Sequence, residues 1–206
     1  MNLKSKNNLK KLIMVSLFTA ILFVQEELLT FIPDVQFTFM LVMLYGATMG
    51  PLYGSIIVVL HVIFDNLFMS TFGNFWIMAP QLVGLLITML LGYILRKRSE
   101  FVIAIGSVFA GLIYVGLYML VNIYVLDMNP LAYIIADIPI DFLLITSNII
   151  TVMFLYKPLK KLINENLNNE KKIEDLFQEI DEQEQSVWNP WKITYFHINF
   201  ILYLHF

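Results

Sequence analysis

Apolar residues run along this chain in long blocks closed by short polar punctuation, with neither the period of a surface helix nor that of a half-buried strand. A helix needs about 20 mostly apolar residues to cross the hydrocarbon core of a bilayer. Five blocks reach that length: Leu12–Phe31, Phe37–Phe72, Phe75–Leu95, Phe101–Leu126 and Leu131–Tyr156. Pro33-Asp34, Gly73-Asn74, Arg96-Lys97-Arg98 and Asp127-Met128-Asn129-Pro130 separate them. The second block is 36 residues long and contains Gly46-Ala47-Thr48-Met49-Gly50-Pro51-Leu52-Tyr53-Gly54. At Gly50-Pro51 one helix stops and another starts, because proline removes a donor and disfavours helical geometry in the residue before it. The pattern therefore predicts an all-α integral membrane fold of six transmembrane helices.

Charge decides between five spans and six. Cytoplasmic loops collect Lys and Arg, and short external loops avoid them. With six spans the N-terminal lysines, Arg96-Lys97-Arg98 and the Lys157, Lys160, Lys161 cluster share one side, and the opposite loops hold no base. Five spans would put the last two clusters outside. The expected topology is N-in/C-in, with residues 1–163 as the membrane domain. The basic N-terminus is read as a membrane flank, since Leu12–Phe31 is too long for the apolar region of a signal peptide and no small-x-small site follows. With 59% apolar and 14% charged residues the chain lies outside the range of soluble domains. The absence of cysteine excludes disulfides, zinc–thiolate sites and thiol nucleophiles.

After Tyr156 the composition turns to Lys, Glu and Asn, with Ile173, Leu176, Phe177 and Ile180 at helical spacing. This predicts a short cytoplasmic helical tail over residues 164–206, whose aromatic end, from Trp188, is interfacial or poorly ordered.

Polar side chains within a span cost roughly 2.5 to 3.5 kcal/mol for an Asp at the centre, so each invites an explanation. Gln25, Glu26, His61, Asp65, Gln81, Asn122 and Asp137 fall in the outer half, with Asp141 near the midplane; Ser16, Thr88 and Asn148 fall in the inner half. The gradient describes a cavity open to the outside, or a set of interhelical hydrogen bonds. His61 with Asp65, Asp137 with Asp141, and Tyr114, Tyr118 and Asn122 each share a helix face. The two aspartates must look inward, where a ligand donor or cation would satisfy them. The tyrosines offer stacking surfaces, or serve as core packing. Ser16-x-x-x-Ala20 forms a small-residue groove, and Gly46, Gly50 and Gly54 repeat the spacing.

The sequence carries no HExxH, phosphate-binding glycine loop or Walker lysine, so ATP hydrolysis is expected only in partner subunits. No resident cofactor or metal is expected, and no nucleic-acid partner.

The basic N-terminus leading into Ser16-x-x-x-Ala20, the Gly46–Gly54 joint with Asp65 downstream, Asp137-Ile138-Pro139-Ile140-Asp141-Phe142, Asn148 and Lys157-Pro158-Leu159 together resemble the substrate-binding S components of energy-coupling-factor (ECF) vitamin transporters of bacteria. The resemblance spans about Leu9 to Ile163. It implies a six-helix protein of the bacterial plasma membrane that captures a vitamin-sized molecule at its outer face. It also implies a membrane coupling protein and two cytoplasmic ATPases as partners. The small-residue groove of the first helix, here Ser16 and Ala20, would meet the coupling protein, with Ser at position 16 where the family pattern expects Ala. The candidate ligand contacts are Gln81, Tyr114, Tyr118, Asn122, Asp137, Asp141, His61 and Asp65. Six-span rod-shape-determining proteins, which organise cell-wall synthesis, share the Gly-Pro joint followed by Asp and stand as the alternative. A lone ion-coupled carrier is disfavoured by the absence of an internal repeat. The pocket chemistry leaves folate, pantothenate, cobalamin and pyrimidine or pyridine vitamins open.

Overall fold

A computed structural model of the chain describes residues 3–29, 37–69, 71 and 73–167. The described residues are helical and contain no strand: α1 (Leu3–Leu29), α2 (Thr38–Phe68), α3 (Phe75–Leu95), α4 (Glu100–Tyr124) and α5 (Pro130–Thr151), the last continuing through a π-helical turn, Val152–Tyr156. Among the described residues five helices are long and apolar enough to cross a membrane. Residues 1–161 pack as one compact unit. The expected tail helix around Ile173–Ile180 and the aromatic end lie outside the described residues.

The polar punctuation works by capping. Asn74 accepts from the Trp76 amide at 3.2 Å to start α3, and Asn129 accepts from the Leu131 and Ala132 amides at 3.1 Å each to start α5, with Pro130 in the first turn where its missing N–H is not needed.

Where the sequence predicts two helices, hydrogen bonding joins them as α2, and the join is a reversal. Gly50 sits at φ 79, ψ 176, outside helical geometry and in a region open essentially to glycine. Contacts along α1 show the change of direction. Phe18 stacks on Tyr45 at 4.4 Å and Gln25 reaches Thr38 at 2.7 Å, so the first arm of α2 runs against α1. Lys11 lies 5.3 Å from the Tyr53 ring and Phe23 meets Phe68 at 5.4 Å, so the second arm runs with it. Thr38 and His61 both approach Glu26, although 23 residues of straight helix would hold them roughly 35 Å apart. A β-carbon on Gly54 would come within 3.4 Å of the Gly46 backbone. The first arm, Thr38 to Met49, is about 18 Å long at 1.5 Å per residue. It is buried from Thr38 through Gly46, so protein rather than lipid surrounds it.

Gly46 and Gly92 allow α2 and α3 to touch backbone to backbone: a β-carbon on Gly46 would stand 2.2 Å from the Met89 carbonyl oxygen, and one on Gly92 equally close to that of Met43. The Gly46/Gly54 spacing is thus internal packing against Met89. Below α5, the π turn directly precedes Pro158. Proline cannot donate to the carbonyl four residues back and crowds it, and a widened turn relieves both problems without ending the helix.

The unit is electrically polarised. At one end Lys160 donates to the Arg96 carbonyl, Lys157 pairs with Glu100 at 3.1 Å and the Arg96 guanidinium lies 4.0 Å from the Tyr93 ring centre. The other end holds Glu26, Glu27, Asp65, Asp137 and Asp141.

Candidate ligand site at the acidic end of the bundle

Two strings of polar contacts cross between helices at the acidic end. In the first, Gln25 accepts from the Phe37 amide at 3.0 Å and donates to the Thr38 hydroxyl at 2.7 Å. Thr38 in turn faces Glu26 Oε2 at 3.5 Å, and Glu26 Oε2 lies 3.0 Å from His61 Nε2. His61 is fully buried, and neither of its ring nitrogens has an aligned hydrogen bond. In the second string Gln81 donates to Asp65 Oδ2 at 2.6 Å and accepts from Asn66 at 2.6 Å, while Asn66 accepts from Thr71 at 2.7 Å. Each string ties the second arm of α2 to a neighbour, α1 through His61 and α3 through Asp65 and Asn66.

A third group joins α4 to α5. Asn122 donates to the Tyr118 carbonyl at 2.9 Å and to the Tyr133 hydroxyl at 3.3 Å, and Tyr133 bonds Asp137 one turn along. On α5 the residues Tyr133, Asp137 and Asp141 are half-buried while Ile138, Pro139, Ile140, Phe142 and Leu143 are exposed. The two aspartates therefore share the inward stripe that continues to buried Leu144 and Asn148. Tyr118 bridges the groups: its hydroxyl donates to the Ile77 carbonyl at 3.2 Å, and Asp65 and Glu26 lie within electrostatic range of it.

Of the eight side chains expected from sequence, His61, Asp65, Gln81, Tyr118, Asn122 and Asp137 lie toward the acidic end, Asp141 one turn deeper and Tyr114 in the core. His61 and Asp65 share a face, yet each reaches a different helix, Glu26 on α1 and Gln81 on α3. Each end of the Gln81 amide holds a protein partner, Asp65 through its nitrogen and Asn66 through its oxygen. Tyr114 belongs to the core: its ring meets Phe39 edge-on at 5.1 Å and packs over Gly84, next to Ala110 and Leu144. Glu26, Thr38, Asn66 and Tyr133 were not among the expected contacts. Tyr133 was within reach of spacing rules, four residues before Asp137; the Glu26–His61 meeting was not, because nothing in spacing shows which helices lie side by side.

Ser16 and Ala20 are exposed and line a groove of about 690 Å³ between α1 and the second arm of α2. Thr19 and Phe23 on α1 and Leu60, Phe64, Leu67 and Phe68 opposite complete it, so the groove is almost wholly apolar.

Membrane-length helices that draw acids, amides and a buried imidazole together at one end define a multi-pass membrane protein with a polar cluster among its helices. Residues 10–164 match the family model of the ECF transporter, substrate-specific component, and the chain belongs to that family. It is the substrate-binding subunit of an ECF-type importer, and the rod-shape-determining alternative is not favoured. No curated protein and no solved structure matches the chain.

Proposed function

We propose that this subunit captures a vitamin or related micronutrient from outside a bacterial cell and hands it to a membrane coupling protein driven by two cytoplasmic ATPases. The observation that carries the reading is the acidic end itself, where Gln25–Thr38–Glu26–His61 and Asp65–Gln81–Asn66 join three helices around a buried histidine without an aligned hydrogen bond. Unsatisfied buried polar atoms are rare in folded proteins, and a ligand or water is their usual partner. All Lys and Arg between Leu12 and Tyr156 sit in the Arg96–Arg98 loop, so the positive-inside bias supports a cytoplasmic basic end and an outward acidic end. Counting the two arms of α2 separately gives six spans with both termini inside. The short first arm is compatible with this because it is enclosed by protein and need not match the bilayer thickness.

The proposed ligand contacts are His61, Asp65, Tyr118, Asn122, Asp137 and Asp141, with Gln81 and Tyr114 holding the frame. The exposed Ser16–Ala20 groove supports docking of the coupling protein along α1, since small residues let a partner helix approach closely. Co-expression with an ECF coupling protein and its ATPases tests the proposal: the subunit should co-purify with them and confer ATP-dependent uptake of a vitamin. Failure of both readouts overturns it.

A further inference from the structure

The acidic end lies in helix stretches that contain no lysine or arginine. No Lys or Arg occurs from Leu12 to Leu95 or from Ser99 to Tyr156, so the helix stretches that carry Glu26, Asp65, Asp137 and Asp141 supply no lysine or arginine to them, and the one basic side chain beside them is the His61 imidazole against Glu26. The nearest bases along α3 begin at Arg96, roughly 22 Å of helix from Gln81. Backbone amides at helix starts can also hold anions, but several at this end are taken: Gln25 takes the Phe37 amide, Asn74 takes Trp76, and Asn129 takes Leu131 and Ala132. A ligand carrying a carboxylate or phosphate would enter a site that offers it repulsion and no donor of charge. His61 adds the second observation: it is completely buried, pressed against Glu26 at 3.0 Å, and neither ring nitrogen has an aligned hydrogen-bond partner within the protein.

Resting on the reading of this end as the ligand site, we propose that the ligand is an organic cation, a protonated amine or cationic nitrogen heterocycle with N–H donors, seated between Glu26, His61 and Asp65 on one side and Asp137 and Asp141 on the other. A bare metal ion is a poorer occupant, because among the described residues no three His, Asp or Glu side chains come together as a metal-binding group. Tyr118, within electrostatic range of Asp65 and Glu26 and tilted against Tyr114 at 5.0 Å, offers an aromatic ring that suits such a heterocycle.

The test uses the full-length protein in detergent and its melting temperature followed by tryptophan fluorescence. Ring-matched compounds differing in charge isolate the effect: 1-methylnicotinamide, nicotinamide and nicotinate; pyridoxamine and 4-pyridoxate; with thiamine, biotin, pantothenate and Ni2+ alongside. At least one organic cation at about 100 times its Kd should raise Tm by about 5 °C or more. Its carboxylate counterpart should not. The rise should vanish in Glu26→Gln and Asp65→Asn and persist in Glu100→Gln, which removes an acid at the opposite end. Stabilisation by a carboxylate vitamin, by Ni2+ alone, or by none of the cations overturns the assignment of charge. A carboxylate hit would still leave a vitamin-binding subunit, whereas failure to co-purify with the coupling protein would strike the underlying reading whatever the panel gave.

Discussion

Replacing Gly50 by alanine tests the reversal on which the arrangement of the acidic end depends. At φ 79, ψ 176 the backbone of Gly50 occupies a conformation that an L side chain adopts only under strain, and nothing lies within 4 Å of where a β-carbon would stand. The cost of Gly50→Ala is therefore conformational and not steric, about 1 to 3 kcal/mol. For a domain of this size each kcal/mol moves Tm by about 2 to 4 °C, so a loss of 2 kcal/mol lowers it by about 4 to 8 °C. Gly116 on α4 is the control, since a β-carbon there also meets nothing but the backbone is helical. Gly116→Ala should gain about 0.5 to 1 kcal/mol from reduced freedom of the unfolded chain and better helix propensity. Tryptophan fluorescence of the detergent-solubilised variants reads both. If Gly50→Ala melts within 1 °C of the parent while Gly116→Ala shifts upward, Gly50 is not held at positive φ and the hairpin is wrong.

Cysteines placed at Asn74 or Asn129 should react with an impermeant thiol reagent from outside intact cells, and one at Ser99 should not; labelling at Ser99 would sink the orientation. Ala20→Trp should fill the groove beside α1 and abolish uptake while leaving ligand affinity intact, and uptake that persists would remove the groove from the docking surface. Asp141→Asn should weaken ligand binding by about 2 to 5 kcal/mol, roughly 30-fold or more, with little loss of stability, whereas Tyr114→Ala, which opens the core under Phe39, should cost about 3 to 5 kcal/mol of stability; the opposite pattern in affinity and Tm would reverse the two roles. Asn148, fully buried on α5 with no hydrogen bond at either amide atom, should gain or hold stability when changed to Leu, and a clear loss by thermal melting would mean that its amide has a partner such as water.

The helices were legible because a bilayer demands length and apolarity together, and few sequences satisfy both by accident. Phe75–Leu95 coincides at both ends with α3, since Asn74 and the arginine loop bound it chemically. Gly50-Pro51 was legible as a break because both residues act on the backbone locally. The continuation of α5 past Tyr156 was not expected, because Lys157-Pro158 reads as a stop unless a π turn absorbs the proline, and that adjustment depends on packing as well as sequence.

The site was legible only by level. Walking each helix in its assigned direction places polar residues near one end, and spacing of four assigns them to a common face, but neither says which helix lies across. Glu26 shows the limit: its partner His61 is 35 positions away and follows from the reversal at Gly50, without which His61 would stand far from α1. The same limit separates the two small-residue patterns. Ser16/Ala20 and Gly46/Gly54 have equivalent spacing rules, yet the first faces outward into an open groove and the second is closed by Met89. What distinguishes them is the burial of the first arm of α2 between its neighbours, a property of the assembled bundle. The absence of lysine and arginine from the acidic end, by contrast, is fixed by composition alone, because those stretches supply neither whichever helices meet. The proposed positive charge of the ligand is therefore the part of the reading that rests least on the packing.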